Sequence, residues 1–358
     1  MLYILNLFSV IVYYAIIHFL PLRKTKKEYL FALIVTIHAI LFRALADPYN
    51  YKDTANYARA FNYISGFSFR EAALTVNDFT GWGQGYVVLN WVLSRFTYDP
   101  AILFIVLSIL SVGLVMWFYS RTSDMLLLTV ILYAIYPMLY LMGFAVIRQH
   151  LSIAFMLIAL YYSNDLKKSI PLAVCSGFMH YAGFLFIPFY FWRRLELRKL
   201  NSLKLLFFIG TGMLVLRVSF GNFLTVLADV GVSRYDGFGQ ESEGSNIIPV
   251  LLLGLLVSLF FHVGVFSKCK EKDADIVKFV TYGLMISLFC IGLSGGGRLT
   301  LPFIYVIPVA IALPFKYARK NFNINILITL FIILLFLRQL TLMMKNFVLT
   351  YDYTFFWE

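Results

Sequence analysis

Charge is scarce in this chain. Of its 358 residues only 13% are Asp, Glu, Lys or Arg, about half the ~25% usual in soluble domains. No polar stretch is long enough to form a soluble domain. Cysteine is scarce too: Cys175, Cys269 and Cys290 are odd in number and scattered, which excludes a disulfide framework or zinc spacing. No G-x-x-x-x-G-K-[ST] loop is present, which argues against a soluble nucleoside triphosphate as substrate. Nor is there an internal repeat of the kind many secondary transporters carry. Acidic residues are the rarer sign, 18 against 30 basic, leaving a net charge of +12. The basic surplus sits at the ends of apolar runs, where topology and anionic lipid headgroups account for it. Nucleic acid is therefore not an expected partner.

What fills the chain is apolar: 61% hydrophobic and 18% aromatic residues, with a mean hydropathy of +0.81. Runs long enough to cross a bilayer, about 20 residues, recur from end to end. The first 20 residues lack a basic leader and a small-residue cleavage site, so they read as a retained helix. The expected fold is an all-α polytopic membrane protein with about 10–12 hydrophobic segments. Residues 1–358 form a single transmembrane domain in this reading. Spans are expected at 2–20, 29–46, 100–119, 125–142, 144–162, 203–227, 247–267, 276–293, 299–315 and 322–341. Segments 81–98 and 169–192 are ambiguous. The second contains Gly177, Gly183 and Pro188, which suits a broken helix, and such helices occur where they are buried or line a watery cavity.

The positive-inside rule places RKTKKE (23–28), RRLELRK (193–199), KCKEKDADIVK (268–278) and KYARK (316–320) in the cytoplasm. The long loop 47–80 and the acidic loop 229–246 fall outside. With both ambiguous segments re-entrant, ten full spans result and both termini lie outside.

That topology gathers the unusual polar residues on the outer side. Asp53 and Tyr57 lie in the first external loop, and Arg148 sits near the outer end of the helix AVIRQHLSIAF (145–155), next to Gln149. His180 falls near the tip of the broken segment, Arg234 in the acidic loop, and Arg298 after a triple glycine. Each has a structural alternative. The alternative for Arg148 is a side chain that snorkels to a headgroup or pairs with a structural carboxylate, for Asp53 an N-cap, for His180 a core histidine and for Arg298 a helix-end anchor. The functional reading starts from the cost of intramembrane charge, about 2.5–3.5 kcal/mol on insertion scales, which makes such residues functional by default. Guanidinium forks match phosphate, and Asp or His can take a proton from a hydroxyl. A phosphorylated ligand at a lipid-exposed face is most naturally a lipid phosphate or pyrophosphate. His18, His38 and His262, in apolar helices, read as structural, and Phe67, Phe69, Phe79 and Trp82 as an interfacial belt.

At these residues the chain resembles the EpsG-like polysaccharide polymerases of the wider Wzy (O-antigen polymerase) group. The resemblance covers roughly residues 40–310. An Arg followed by Asp-x-x-x-Tyr stands in FRALADPYNYKDTANY, with Arg43, Asp53 and Tyr57. A Gly-Tyr-x-x-Leu element stands in GQGYVVLNWVLS, the Ile-Arg-Gln motif in AVIRQHLSIAF, and a His in the small-residue segment LAVCSGFMHYAGFLFIPF. Arg298 also fits. Gln84 stands where family members often carry an acid before Gly-Tyr, and Asp47 competes with Asp53, although the spacing to Tyr57 favours Asp53.

The resemblance implies a GT-C-like membrane glycosyltransferase at the outer face of the bacterial plasma (inner) membrane. It would transfer growing glycan from undecaprenyl pyrophosphate to the non-reducing end of the next lipid-linked repeat unit, making O-antigen, capsule or exopolysaccharide, with no cofactor and no metal. Arg148 and Arg298 would stabilise the departing pyrophosphate, Asp53 or His180 would deprotonate the acceptor, and Tyr57 and Gln149 would orient the substrates. Arg43 and Arg234 complete the expected substrate-binding set. The expected partners are lipid-linked glycans, membrane lipids and a chain-length regulator. The rival class is a flippase or transporter of the same lipid-linked oligosaccharide, which needs the arginines and no base.

Overall fold

A computed structural model describes residues 2–80, 83–136, 138–194, 210–211, 247–291, 296–318, 322–345 and 353–357; the side chains of 52–53, 75–80, 142, 247–249, 296, 322–324 and 327 are outside that description. Among the described residues every regular element is a helix, apart from one antiparallel bridge between Ala46 and Phe355. The chain is an all-α polytopic membrane protein. Among the described residues three helical stretches are both long and apolar enough to cross a bilayer, namely Leu2–Phe19, Pro100–Thr122 and Gly297–Ala318, and shorter apolar helices accompany them. The expected span at 203–227 and the acidic loop 229–246 lie outside the described residues, except for 210–211. The chain divides into two compact units, residues 1–186 with 329–358, and residues 187–328.

The first unit holds α1 (Leu2–Phe19), α2 (Lys24–Ala44), α3 (Lys52–Ser65), α4 (Phe69–Thr80), α5 (Gln84–Ser94), α6 (Pro100–Thr122), α7 (Leu126–Ile135), α8 (Ile147–Tyr161) and α9 (Leu166–Met179). Local signals set several boundaries. Asp99 caps α6 by accepting from the Ala101 amide at 2.9 Å, with Pro100 at the first helical position, where its missing N–H costs nothing. Ser68 and Glu71 form a reciprocal capping box at the start of α4.

Where spans were expected at 125–142 and 144–162, the structure has two shorter helices instead. α7 stops after ten residues at Tyr136, which is extended (φ −76°, ψ 111°). Residue 137 is proline, and the residue before a proline is pushed out of the helical region. A 3₁₀ turn at Leu141–Phe144 then leads into α8. Likewise α9 stops at His180, and a 3₁₀ turn at Tyr181–Leu185 follows. Segment 169–192 is thus broken, at the histidine. α5 has 11 residues, a rise of about 16 Å, roughly half the hydrocarbon thickness.

Contacts fix which helix ends lie together. The last turn of α1, the first turns of α2 and the α6–α7 corner line one cavity. Trp117, toward the end of α6, packs on Tyr161 and Tyr162 at the end of α8. The Ser169 hydroxyl, at the start of α9, donates to the Ala159 carbonyl at 2.6 Å. At the opposite end Tyr3 meets Tyr51 and Tyr353, Tyr51 meets Phe144, and the C-terminal segment pairs with residues 45–47. Residues 45–99 therefore begin and end at that same end of the unit. His38 is absorbed between α1 and α2, bonded to Asn6, Ser9 and Tyr13.

The second unit contains α10 (Phe186–Arg193) from Ile187 on, α11 (Ile247–Val263), α12 (Val265–Lys268), α13 (Glu271–Phe289), α14 (Gly296–Ile304), α15 (Ile307–Ala310) and α16 (Ala312–Ala318). Gly264, at φ +71°, makes the left-handed corner between α11 and α12. The stretches expected to share the cytoplasm are joined directly: Arg193 pairs with Asp275 at 2.7 Å and Lys316 with Asp273 at 2.9 Å. α17 (Phe322–Met343) starts in this unit and passes into the first at Thr329.

Candidate functional site

Arg148 opens the site. It stands in the first turn of α8, half-buried, with its guanidinium carbon 5.5 Å from the Tyr57 ring centre and 5.7 Å from that of Tyr86. Its Nε donates to the Tyr57 hydroxyl at 3.4 Å. The two tyrosine rings meet edge to face, 5.8 Å apart. A cation over a tyrosine face gains about 0.5–2 kcal/mol, more as water is excluded. Each ring thus offsets part of the cost of holding charge here and fixes the guanidinium plane.

The cradle is held by packing. Tyr57 and Tyr86 belong to one buried cluster with Phe61 and Ile64 of α3, Ala72 of α4, Val87 of α5, Leu103, Phe104 and Leu107 of α6, and Ile147 and Leu151 of α8. Leu103, Leu107 and Leu151 flank the rings at α-helical spacing and are fully buried. Trp91 donates from its indole nitrogen to the Phe67 carbonyl at 3.1 Å, and Phe69 packs edge-on against Trp91. Phe67, through its backbone carbonyl, and Phe69, through its ring, fasten the α3–α4 corner to α5, and Phe69 stays 48% exposed. Trp82 and the side chain of Phe79 lie outside the described residues.

His180 enters through the end of α9. Gly85 lets the first turn of α5 lie against that end: a Cβ there would be 3.0 Å from Phe178 Cβ and 3.2 Å from Met179 Cε. At Gly83 a Cβ would collide with the Phe178 carbonyl. Ser152, one helical turn after Arg148, donates to the Ser176 carbonyl at 2.8 Å, and Ser176 returns a bond to the Ser152 carbonyl at 2.7 Å. The same Ser152 hydroxyl lies 3.4 Å from the His180 carbonyl. His180 is 4% exposed, and its Nδ1 accepts the Ala182 amide at 3.3 Å. In the neutral ring that acceptor role puts the proton on Nε2.

The other expected site residues each have their own setting. Arg43 is 4% exposed and donates from Nη1 to Ser111 Oγ at 3.0 Å, inside the unit, where Gly143 is wedged between it and His150. Gln149 is buried at 2% exposure. The backbone of Asp53 occupies the first turn of α3, one turn before Tyr57, and its side chain is outside the described residues. Arg298 is exposed in the first turn of α14, in the second unit, and Arg234 lies outside the described residues. Among the described residues no group of three His, Cys, Asp or Glu side chains could hold a metal ion.

Tyr86, Gly85 and the Ser152–Ser176 pair were not anticipated as site residues. The signal for Tyr86 was present in GQGY, since a glycine-flanked aromatic beside a short apolar helix marks close backbone approach. Nothing local announces the serines.

Two helix beginnings also converge here. α5 and α8 start at Gly83 and Val146, neither of which provides a side-chain cap, so two positive dipole ends lie beside one arginine. That arrangement suits an anion.

Comparison with known proteins adds one finding. The model of the EpsG family matches residues 44–355, most of the chain. No curated protein and no solved structure matches.

Proposed function

Because the chain belongs to the EpsG family, we propose that it is a membrane polysaccharide polymerase that extends lipid-linked glycans at the outer face of the bacterial plasma membrane. The donor is a glycan on undecaprenyl pyrophosphate, and the acceptor is the non-reducing end of a second lipid-linked repeat unit. In the step, the anomeric C–O bond to pyrophosphate breaks and a glycosidic C–O bond to the acceptor hydroxyl forms. The hydroxyl proton goes to a base, and the electron pair leaves on undecaprenyl pyrophosphate.

The observation that carries this reading is the seating of Arg148 between Tyr57 and Tyr86, at the first turn of α8 and beside the start of α5. The Nε contact to Tyr57 orients the guanidinium, whose terminal nitrogens are the fork that matches phosphate oxygens. Charge developing on the leaving group then meets preorganised donors, which is worth about 10²–10³ in rate for a single donor. His180, with Nδ1 accepting a backbone amide, is suited to donate from Nε2 to a phosphate oxygen. Asp53, one turn before Tyr57, takes the acceptor proton in this scheme.

The test is a glycan ladder from a polymerase-deficient strain complemented with the chain at matched membrane levels. The intact chain restores polymer, and Arg148→Ala leaves single repeat units. His180→Gln separates the roles: glutamine donates a hydrogen bond and is no base, so this variant retains polymer while His180→Ala and Asp53→Asn lose it. Polymer surviving Arg148→Ala overturns the site. A chain that never extends a repeat unit overturns the function.

A further inference from the structure

Four helix ends of the first unit meet in one knot of aromatic rings. Tyr3 opens α1, Phe42 lies in the last turn of α2, Tyr51 stands just before α3, and Phe144 ends the 3₁₀ turn before α8. The Tyr3 and Tyr51 hydroxyls are bonded to each other. The Phe144 ring lies 5.5 Å from that of Tyr51 and 6.1 Å from that of Phe42. Tyr3, Tyr51 and Phe144 are buried.

Segment 353–357 closes the knot. The Tyr353 ring stacks on Phe42 at 4.5 Å and meets Tyr3 edge-on at 5.9 Å, and its hydroxyl donates to the Phe42 carbonyl. Alongside, the Asp47 amide donates to the Thr354 carbonyl at 2.9 Å and the Phe356 amide to the Leu45 carbonyl at 3.1 Å. Asn50 donates from its side-chain amide to the Thr354 hydroxyl. We infer that segment 353–357 is a clasp for the site, with Tyr353 a positioning residue: by fastening the α2–α3 connection to the knot, it keeps Tyr57 against Arg148. As a contribution to catalysis, this rests on the polymerase reading.

Both halves of the cradle lead out of the knot. Tyr57 follows Tyr51 by six residues, and Arg148 follows Phe144 by four. α3 has 14 residues, a length at which an isolated helix is marginal, so its place is set by what pins it. Phe61 and Ile64 pin its far half in the buried cluster. Its start has no side-chain cap at Tyr51, and the knot is what holds that end. Tyr57, the first α3 residue to join the cluster, lies between the two anchors. Loosening segment 353–357 therefore lets α3 fray from its start toward Tyr57. The packing of α2 on α6 does not pass through the clasp, because Arg43 reaches Ser111 directly at 3.0 Å.

The experiment is phenylglyoxal labelling of arginines in the full chain in nanodiscs, read by peptide mass spectrometry, with polymer synthesis from lipid-linked repeat units measured on the same preparations. Tyr353→Ala with Phe356→Pro removes the ring and one backbone donor of the clasp. Arg148 labelling should rise about fivefold, the factor that one lost cation–aromatic contact is worth. Arg43, 4% exposed, should stay unlabelled, and polymer synthesis should fall about tenfold. Tyr353→Phe keeps the stack on Phe42 and should label Arg148 less than the double variant. Unchanged Arg148 labelling overturns the clasp. A rise at Arg148 and Arg43 together shows a folding role and overturns the positioning, as does a rise at Arg148 with full polymer synthesis. If the intact chain extends no repeat unit, the polymerase reading falls, and the labelling of Arg148 relative to Arg43 still decides whether the clasp holds Tyr57 in place.

Discussion

Gly143→Ala tests how the site is braced. A Cβ at Gly143 would lie 2.7 Å from Arg43 Nη1, 2.8 Å from His150 Nδ1 and 2.9 Å from His150 Cε1. Ordinary contact begins near 3.4 Å, so the methyl overlaps two side chains by about 0.5–0.7 Å on opposite sides. Neither can swing away: Arg43 is 4% exposed and bonded to Ser111, and His150 is 1% exposed. Overpacking of this kind costs about 1–3 kcal/mol. Gly113, inside α6, is the control. A Cβ there meets Ile40 Cδ1 at 3.8 Å, and Gly113→Ala should be neutral or gain up to about 1 kcal/mol of helix propensity. Unfolding by detergent titration reads both. The consequence for function is larger than for stability, because His150 and Arg148 share the first turn of α8. A shift of about half an ångström there moves the guanidinium off its tyrosines, and polymerisation should fall about tenfold. His150→Ala opens room for the methyl, so the double variant should be more stable than the sum of the single changes by about 1 kcal/mol or more. Additive effects, or a Gly143→Ala protein indistinguishable from Gly113→Ala, would refute the bracing.

Replacing Ser176 by Val removes the bond its hydroxyl donates to the Ser152 carbonyl and its contact with the Ser152 hydroxyl, keeps the bond from Ser152 to the residue-176 carbonyl, and leaves one buried carbonyl short of a donor. A loss of about 1–3 kcal/mol in the same titration is expected, with quicker amide exchange around His180. In the second unit, Arg193→Met takes from Asp275, which is 6% exposed, its ion-pair partner at 2.7 Å and should cost about 1–3 kcal/mol; changing Asp275 to Leu as well should recover part of that loss. At α4, the Glu71 carboxylate is held below its ordinary pKa by bonds from Ser68. The capping box is therefore complete at neutral pH and weakens as pH falls through that lowered value, so amides of residues 68–72 should exchange faster in acid than intrinsic rates allow, and Glu71→Ala should abolish the pH dependence. Tyr353→Phe removes the bond from its hydroxyl to the Phe42 carbonyl and should raise protease cleavage near the exposed Tyr49 without altering cleavage elsewhere.

Membrane class and helix content were legible because a bilayer enforces them: apolar runs must satisfy their own backbone bonds as helices. The motif residues were legible as types. Their gathering on one side was read from the topology, but which of them touch was not legible, and the reason is visible at α7. A run such as LLLTVILYAI (126–135) reads as a span by hydropathy, yet Tyr136 before a proline ends it. Hydropathy counts apolar residues and is blind to where a helix stops. The same blindness hid Arg43, which reads from sequence as one more ligand-facing arginine. Only the tertiary neighbours Ser111 and His150 place it inside the packing. Tyr86 stood in a visible Gly-Tyr element, but its role was not legible, because a tyrosine in an apolar run is ordinarily a core residue and its cationic partner lies on another helix.

The interrupted helices explain why an arginine is tolerated in AVIRQHLSIAF. A full-length span would carry Arg148 past lipid, with its backbone already paired. Here α8 begins at Ile147, α5 begins at Gln84 and α9 ends at Met179, so polar helix ends collect inside protein, where irregular backbone is permitted. The polar region comes first, as a consequence of where Gly83, Val146 and His180 interrupt the helices. The arginine then sits in a place already made polar, with aromatic faces to hold its charge. It follows that restoring helix continuity should harm the site more than removing one polar group. His180→Leu at the end of α9 would extend an apolar helical run and take away the acceptor for the Ala182 amide. It should lose polymer and displace Gly85 from Phe178, whereas His180→Gln keeps the break. Equal activity of the leucine and glutamine variants would show that the interruption at His180 is incidental.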